Sequence, residues 1–217
     1  MHRHNYVGML MILALLAAYG TREVGAAPIT IAITAEVATV EDPGGMLAGA
    51  ITVGDVITGT YVYDSSTLDT NAASTVGDYW HTTAPFGITI NAGGLVFRTD
   101  PTQVNFLVEI VNDHGTPPRD NYLLRSYTNL FDVSTLPAPG GHPADDHIAW
   151  QLDDPTLAAL ASTALPTDAP TVAAWQSVFG LTIESRNAGG DWFFVRAHVT
   201  SAERLCAKPQ GRKKCPK

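Results

Sequence analysis

From Ile29 to Val40 the chain alternates, with Ile29, Ile31, Ile33, Ala35 and Val37 on one side and Thr30, Thr34 and Glu36 on the other. A period of two buries one face only if the segment is a strand, because successive side chains then point to opposite sides. The same grammar recurs down the chain. Val56, Ile57, Thr58, Thr60, Tyr61, Val62 and Tyr63 form a β-prone run after Gly54, and it ends in a polar turn holding Asp64, Ser65, Ser66 and Asp69. Glu41-Asp42-Pro43-Gly44-Gly45 breaks the chain before it.

Further strands are expected at Phe86 to Asn91 and Leu95 to Thr99, joined through Ala92-Gly93-Gly94 as a hairpin. Val104 to Asn112 and Tyr122 to Tyr127 follow, separated by a loop with Pro117 and Pro118. Ile148, Trp150 and Leu152 share one face of another strand. A closing hairpin places Phe179, Leu181 and Ile183 inward, turns at Asn187-Ala188-Gly189-Gly190, and returns with Phe193, Val195, Ala197 and Val199 inward. Asp69 to Pro85 reads as a Thr- and Ser-rich loop carrying Tyr79, Trp80 and His81. Asp154 to Ala164 is expected to be a short helix, with Asp154 as cap and Pro155 in its first turn, and Thr171 to Ser177 a helical turn. The expected fold is therefore all-β: a jelly-roll-like, two-sheet antiparallel sandwich with one or two short helices.

Charge narrows the partners. Between Pro28 and Glu203 the basic residues are Arg98, Arg119, Arg125, Arg186 and Arg196, with no lysine, in a chain of net charge −8. Such a body repels phosphate backbones, so no nucleic-acid partner is expected. Positive charge gathers in the tail, 204–217, at Arg204, Lys208, Arg212, Lys213, Lys214 and Lys217.

The start of the chain reads as an export signal, 1–26. Arg3 with His2 and His4 precedes an apolar run from Val7 to Tyr19, and small residues at Val24-Gly25-Ala26-Ala27 mark a cleavage site, placed after Ala26. The run is shorter than the roughly 20 residues a membrane-spanning helix needs, so the mature chain is expected to carry no transmembrane helix and to be secreted. Cys206 and Cys215 are the two cysteines, and an oxidising compartment would pair them. That bridge closes a short tail loop, contributing roughly 2–3 kcal/mol in the chain-entropy view, and leaves 28–203 as the β domain.

Four constellations bear on function. Asp64 and Asp69, Asp145 and Asp146, and Asp153 and Asp154 place carboxylates in turns, where they either bind calcium or cap backbone. His142 and His147 flank Asp145 and Asp146, a mixture that transition metals accept. No G-x-S-x-G elbow occurs, so no catalytic residue is assigned, although a carboxylate pair acting on a glycosidic bond is an alternative. The last strand lines up Trp192, Phe194, Arg196 and His198 on its outward face. This is either a ligand face, where aromatics stack on sugar rings, or a covered face on which Arg196 pairs with Glu184 across the hairpin. No metal or other cofactor is assigned.

The segment GGMLAGAITVGDVITGTYVYDSSTLDTN followed by GDYWHTTAPFGITINAGGLVF resembles exported bacterial proteins of the PEP-CTERM sorting type, as does WQLDDPTLAALASTALPTDAP. The similarity spans Ile29 to Ser201 and rests on structural motifs: a Gly-Asp-x-x-x-Gly strand, a Tyr-Asp turn, a Pro-Phe strand and a Gly-rich hairpin. It implies no catalytic residue. The final CAKPQGRKKCPK has a basic cluster without the family's Pro-Glu-Pro signal or hydrophobic helix. A free secreted or envelope-associated structural or binding protein is expected, with extracellular polysaccharide or envelope components as partners and calcium-dependent adhesion as a further alternative.

Overall fold

A computed structural model describes residues 28–133, 146–176 and 180–206. The segment expected to be an export signal, His142, Asp145, Phe179, Cys215 and most of the basic tail lie outside them. Eleven strands appear in chain order: β1 (Ile29–Glu41), β2 (Val56–Tyr63), β3 (Val76–His81), β4 (Gly87–Ala92), β5 (Leu95–Thr99), β6 (Phe106–Gly115), β7 (Pro118–Ser126), β8 (Asn129–Phe131), β9 (Asp146–Asp154), β10 (Gly180–Arg186) and β11 (Trp192–Leu205). All pairings are antiparallel.

The expected pair of sheets is replaced by one continuous sheet in the order β3-β6-β7-β9-β10-β11-β1-β2-β4-β5-β8. It curls into a half-barrel. Tyr61 on β2 and Tyr122 on β7 show how far: four strands stand between them in the ladder, which in a flat sheet separates them by about 24 Å. Their hydroxyls nevertheless meet at 3.0 Å. The bend comes from the two long central strands. Register shifts in the β1–β11 pair leave Ala38 as an extra residue on β1 and Thr200 as one on β11. Each bulge raises the local twist and turns the strand toward the core, so β1 and β11 serve both halves of the curl without a break.

The concave side is the core. Ile29, Ile31, Ile33, Ala35 and Val37 are buried as the alternation requires, and so are Ile148, Trp150, Leu152, Leu181, Ile183, Phe193, Val195 and Ala197. Trp150 lies edge-on to Tyr61 at 5.6 Å, and Phe97 approaches Phe193 at 6.0 Å, so aromatic side chains from both halves meet in the middle. Gly59 on β2 permits this packing, because a Cβ there would stand 2.6 Å from the Thr89 carbonyl of β4.

Two local expectations are corrected. The segment after β9 is not a helix: Asp154 takes the N–H groups of Thr156, Ala158 and Ala159 on its carboxylate, and Leu157 enters the left-handed region at φ 62°, which ends helical winding. Helical structure among the described residues is a single 3₁₀ turn at Val172–Ala174, inside the span expected from Thr171. Tyr79, Trp80 and His81 belong to strand β3 rather than to a loop, with Tyr79 and His81 buried and Trp80 turned outward.

Candidate functional site

The concave side is filled by core side chains, so the convex face of β3, β6, β7, β9, β10 and β11 is where chemistry is exposed. Strand register stacks its outward residues in rows. One row runs Asp78, Glu109, Leu123 and Gln151, and the next runs Trp80, Leu107, Arg125, Ala149, Thr182 and Arg196. A third contains His147, Glu184 and Phe194.

Aromatic and polar groups form a band across these rows. Trp80, 38% exposed, stacks on Tyr127 at 5.7 Å with planes 26° apart. Tyr127 approaches the His147 ring at 6.0 Å, and His147 Nδ1 lies 3.1 Å from Glu184 Oε1. Glu184 sits directly opposite Phe194 on β11, and the Arg196 guanidinium lies over the Phe194 ring at 5.4 Å. Trp192, 36% exposed, closes the band opposite Arg186. A shallow recess of about 140 Å³ opens between Glu184, Arg186, Trp192 and Phe194. His147 Nε2 and Arg196 Nε are buried without a hydrogen-bond partner among the described residues.

The four residues of the sequence-derived ligand face are therefore on one strand face as expected, with His198 exposed at its far end beside Glu36. The expected Arg196–Glu184 pairing is not made. The register puts Arg196 opposite Thr182, and Glu184 turns to His147 instead. A hydrogen bond between Glu184 and the neighbouring imidazole and a cation–π contact of Arg196 with Phe194 replace the diagonal ion pair.

Beside the band lies a cleft of about 320 Å³, floored by Leu123 and walled by Glu109, Arg119, Asn121, Arg125, Gln151 and the β6–β7 hairpin. The hairpin is shaped by a bulge at Asn112-Asp113, where Asp113 takes φ 54° and its N–H donates to the Asp120 carboxylate at 3.1 Å. Arg119 Nη1 reaches Asp153 Oδ1 only at 3.9 Å, while Asp153 is already served by Asn121 Nδ2 at 2.6 Å and Gln151 Nε2 at 3.0 Å. Burial pushes the Glu109 carboxyl above its usual range; the Arg125 guanidinium opposes this and the Asp78 carboxylate reinforces it.

Asp78 and Glu109 face each other directly across β3 and β6, an arrangement that sets Cβ atoms about 4.5–5.5 Å apart. Reading the sequence missed this pair, because it depends on the register of β3. Arg119 and Arg125 were legible in principle, since they share parity along one strand with Asn121 and Leu123.

The turn carboxylates have structural work. Asp64 accepts from Ser66 N–H at 2.8 Å and Ser66 Oγ at 2.7 Å, Asp69 from Asn71 and Asp78 N–H, and Asp154 from the turn that follows it. Asp146 accepts from the Ser185 hydroxyl. No group of three His, Cys, Asp or Glu side chains able to hold a metal ion occurs among the described residues. No helix of the described residues is long and apolar enough to cross a membrane. Comparison with protein-family models, with curated proteins and with solved structures finds no match.

Proposed function

We propose that this chain is an exported binding protein, secreted or envelope-associated and akin to the PEP-CTERM-type proteins it resembles, that holds a glycan on the convex face of its curled sheet. The observation carrying this reading is the band from Trp80 through Tyr127, His147 and Glu184 to Phe194 and Trp192. Flat aromatic surface presents an apolar platform to the C–H faces of sugar rings, while neighbouring polar groups meet the hydroxyls. Glycan-array screening of the chain from Ala27 tests it. Binding that falls at least about tenfold in W80A and in W192A, a loss of about 1.4 kcal/mol, is the expected result. Absence of any bound glycan, or binding by both variants unchanged from the parent, refutes it.

A second reading has its own observation. Asp78 and Glu109 are a facing carboxylate pair in which one member is held toward its protonated form, the arrangement a glycoside-cleaving enzyme uses as acid and nucleophile. Release of reducing ends from a bound glycan, abolished in E109Q and D78N, supports this reading. Binding without turnover removes it.

A further inference from the structure

The acidic body has five guanidinium groups and no lysine between Pro28 and Glu203, and two of those five, Arg119 and Arg125, line the same cleft. Among the described residues Arg119 alone of the five has a carboxylate within 4 Å, and no ion pair joins Arg98, Arg125, Arg186 or Arg196 to one. What sets Arg119 and Arg125 apart is that they share a cleft. The nearest carboxylate to Arg119, Asp153, lies at 3.9 Å and is already hydrogen-bonded by two amides. Arg125 stands diagonal to Glu109 in the β6–β7 ladder, and no ion pair joins it to a carboxylate among the described residues. Burial raises the Glu109 pKa, the Arg125 guanidinium partly offsets this and the Asp78 carboxylate opposite reinforces it, so Arg125 feels Glu109 without forming a close ion pair with it.

The cleft adjoins the aromatic band. Arg125 shares a row with Trp80, with Leu107 between them, so two ladder spacings, about 10 Å, separate the stacking surface from the guanidinium. A sugar chain lying along this row meets an aromatic plane first and a forked cation next. A guanidinium matches a carboxylate with two parallel hydrogen bonds. The volume of about 320 Å³ sits at the lower end of ligand-sized clefts, about 300–1,000 Å³, and suits one sugar unit rather than a long polyanion.

We propose that the cleft walled by Arg119 and Arg125 is a subsite for the carboxylate of a uronic-acid unit, so that the glycan recognised on this face is an acidic one. This rests on the glycan-binding reading and assigns it a substrate class. The net charge of −8 sharpens the point: the overall field repels polyanions, so recognition is local and stereochemical rather than a general attraction.

Calorimetric titration with oligogalacturonate, its methyl ester and a neutral hexose oligomer tests the subsite. The free acid is expected to bind about tenfold or more tightly than its ester, a difference that one charge-assisted fork supplies. R125Q and R119Q lose that preference while retaining ester binding, R125K recovers it only in part, and W80A weakens acid and ester alike. Because both arginines are at the surface, the melting temperatures of these variants stay near that of the parent. Equal affinity for acid and ester overturns the subsite and leaves the glycan reading intact. Binding of the neutral oligomer alone does the same. Failure of every oligomer to bind, with W80A indistinguishable from the parent, overturns both.

Discussion

The two hydroxyls that close the core, Tyr61 and Tyr122, allow the curl of the sheet to be tested by stability alone. Tyr61 and Tyr122 are 0% and 1% exposed, their oxygens are 3.0 Å apart, and this is the one hydrogen bond found for either hydroxyl among the described residues. Burial holds both phenols well above their ordinary ionisation range, so each stays protonated at any working pH. Replacing one tyrosine by phenylalanine strands the other hydroxyl in an apolar interior, which costs about 1–3 kcal/mol. Removing both leaves two apolar rings and no stranded group, and is expected to cost less than about 1 kcal/mol. The cycle Y61F, Y122F and Y61F/Y122F therefore has a coupling energy of at least about 1 kcal/mol, with the double variant more stable than either single. In thermal unfolding, a single change costing about 2 kcal/mol lowers Tm by roughly 4–8 °C for a chain of this size. Urea titration of the four proteins at pH 7, followed by near-ultraviolet circular dichroism, supplies the free energies. Strictly additive losses would mean that the hydroxyls do not meet, and that β2 and β7 are not folded face to face.

Three further outcomes follow from individual contacts. His81 is buried, with Nδ1 positioned to donate to the Tyr79 carbonyl and Nε2 accepting the Asp64 N–H at 3.0 Å; desolvation drives its pKa below the usual histidine value. The unfolded chain then takes up the proton first, so His81's contribution is fully present above about pH 6.5 and is lost as pH falls toward the folded-state value; a Tm slope between pH 7.5 and 5 in the parent, absent in H81Q, is expected, and identical slopes would refute it. Gly59→Ala drives a methyl to 2.6 Å from the Thr89 carbonyl within the β2–β4 ladder and is expected to cost about 1–3 kcal/mol by overpacking, read as a lower urea midpoint; an unchanged midpoint refutes the close approach. Cys206 and Cys215 are expected to resist alkylation until reduced, with reduction changing the main unfolding transition little; rapid labelling of both in the untreated protein refutes the pairing.

Much of the fold was legible because period-two alternation states directly which side chains share a face. Ile29 to Val37, Ile148 to Leu152 and Phe193 to Val199 all bury the residues their parity selects. Legibility ended where local signals competed with distant partners. Gly77 and Asp78 look like turn residues in isolation, yet pairing with Ile110 and Glu109 of β6 makes them part of β3. Asp154 and Pro155 look like a helix start, but the same carboxylate is spent on a tight turn. The curl was also invisible, since extra residues such as Ala38 and Thr200 become bulges only against a specific partner register. The proposed ligand face divides in the same way. Trp192, Phe194, Arg196 and His198 follow from one strand's parity, whereas the neighbours Trp80, Tyr127 and His147 arrive from three other segments.

The distribution of outward aromatics weighs in favour of a binding face over the simpler view that these residues are only good strand formers. β-Propensity rewards aromatics on any strand, so it predicts that they scatter over the whole convex surface. The half formed by β1, β2, β4 and β5 turns outward Thr30, Thr34, Thr58, Thr60, Val62, Thr89, Asn91 and Arg98, and its aromatic residues Tyr61, Tyr63 and Phe97 all point into the core. Trp80, Tyr127, Phe194 and Trp192 lie together on the other half, within reach of His147, Glu184, Arg125 and Arg196. Trp80 and Trp192 each keep a little over a third of their surface in water, so each forfeits part of the about 1.5–3 kcal/mol that fully burying a large apolar side chain is worth. Concentrating that surface on one half, beside the rare cations of an acidic body, makes sense if the face is covered by a ligand for part of its life.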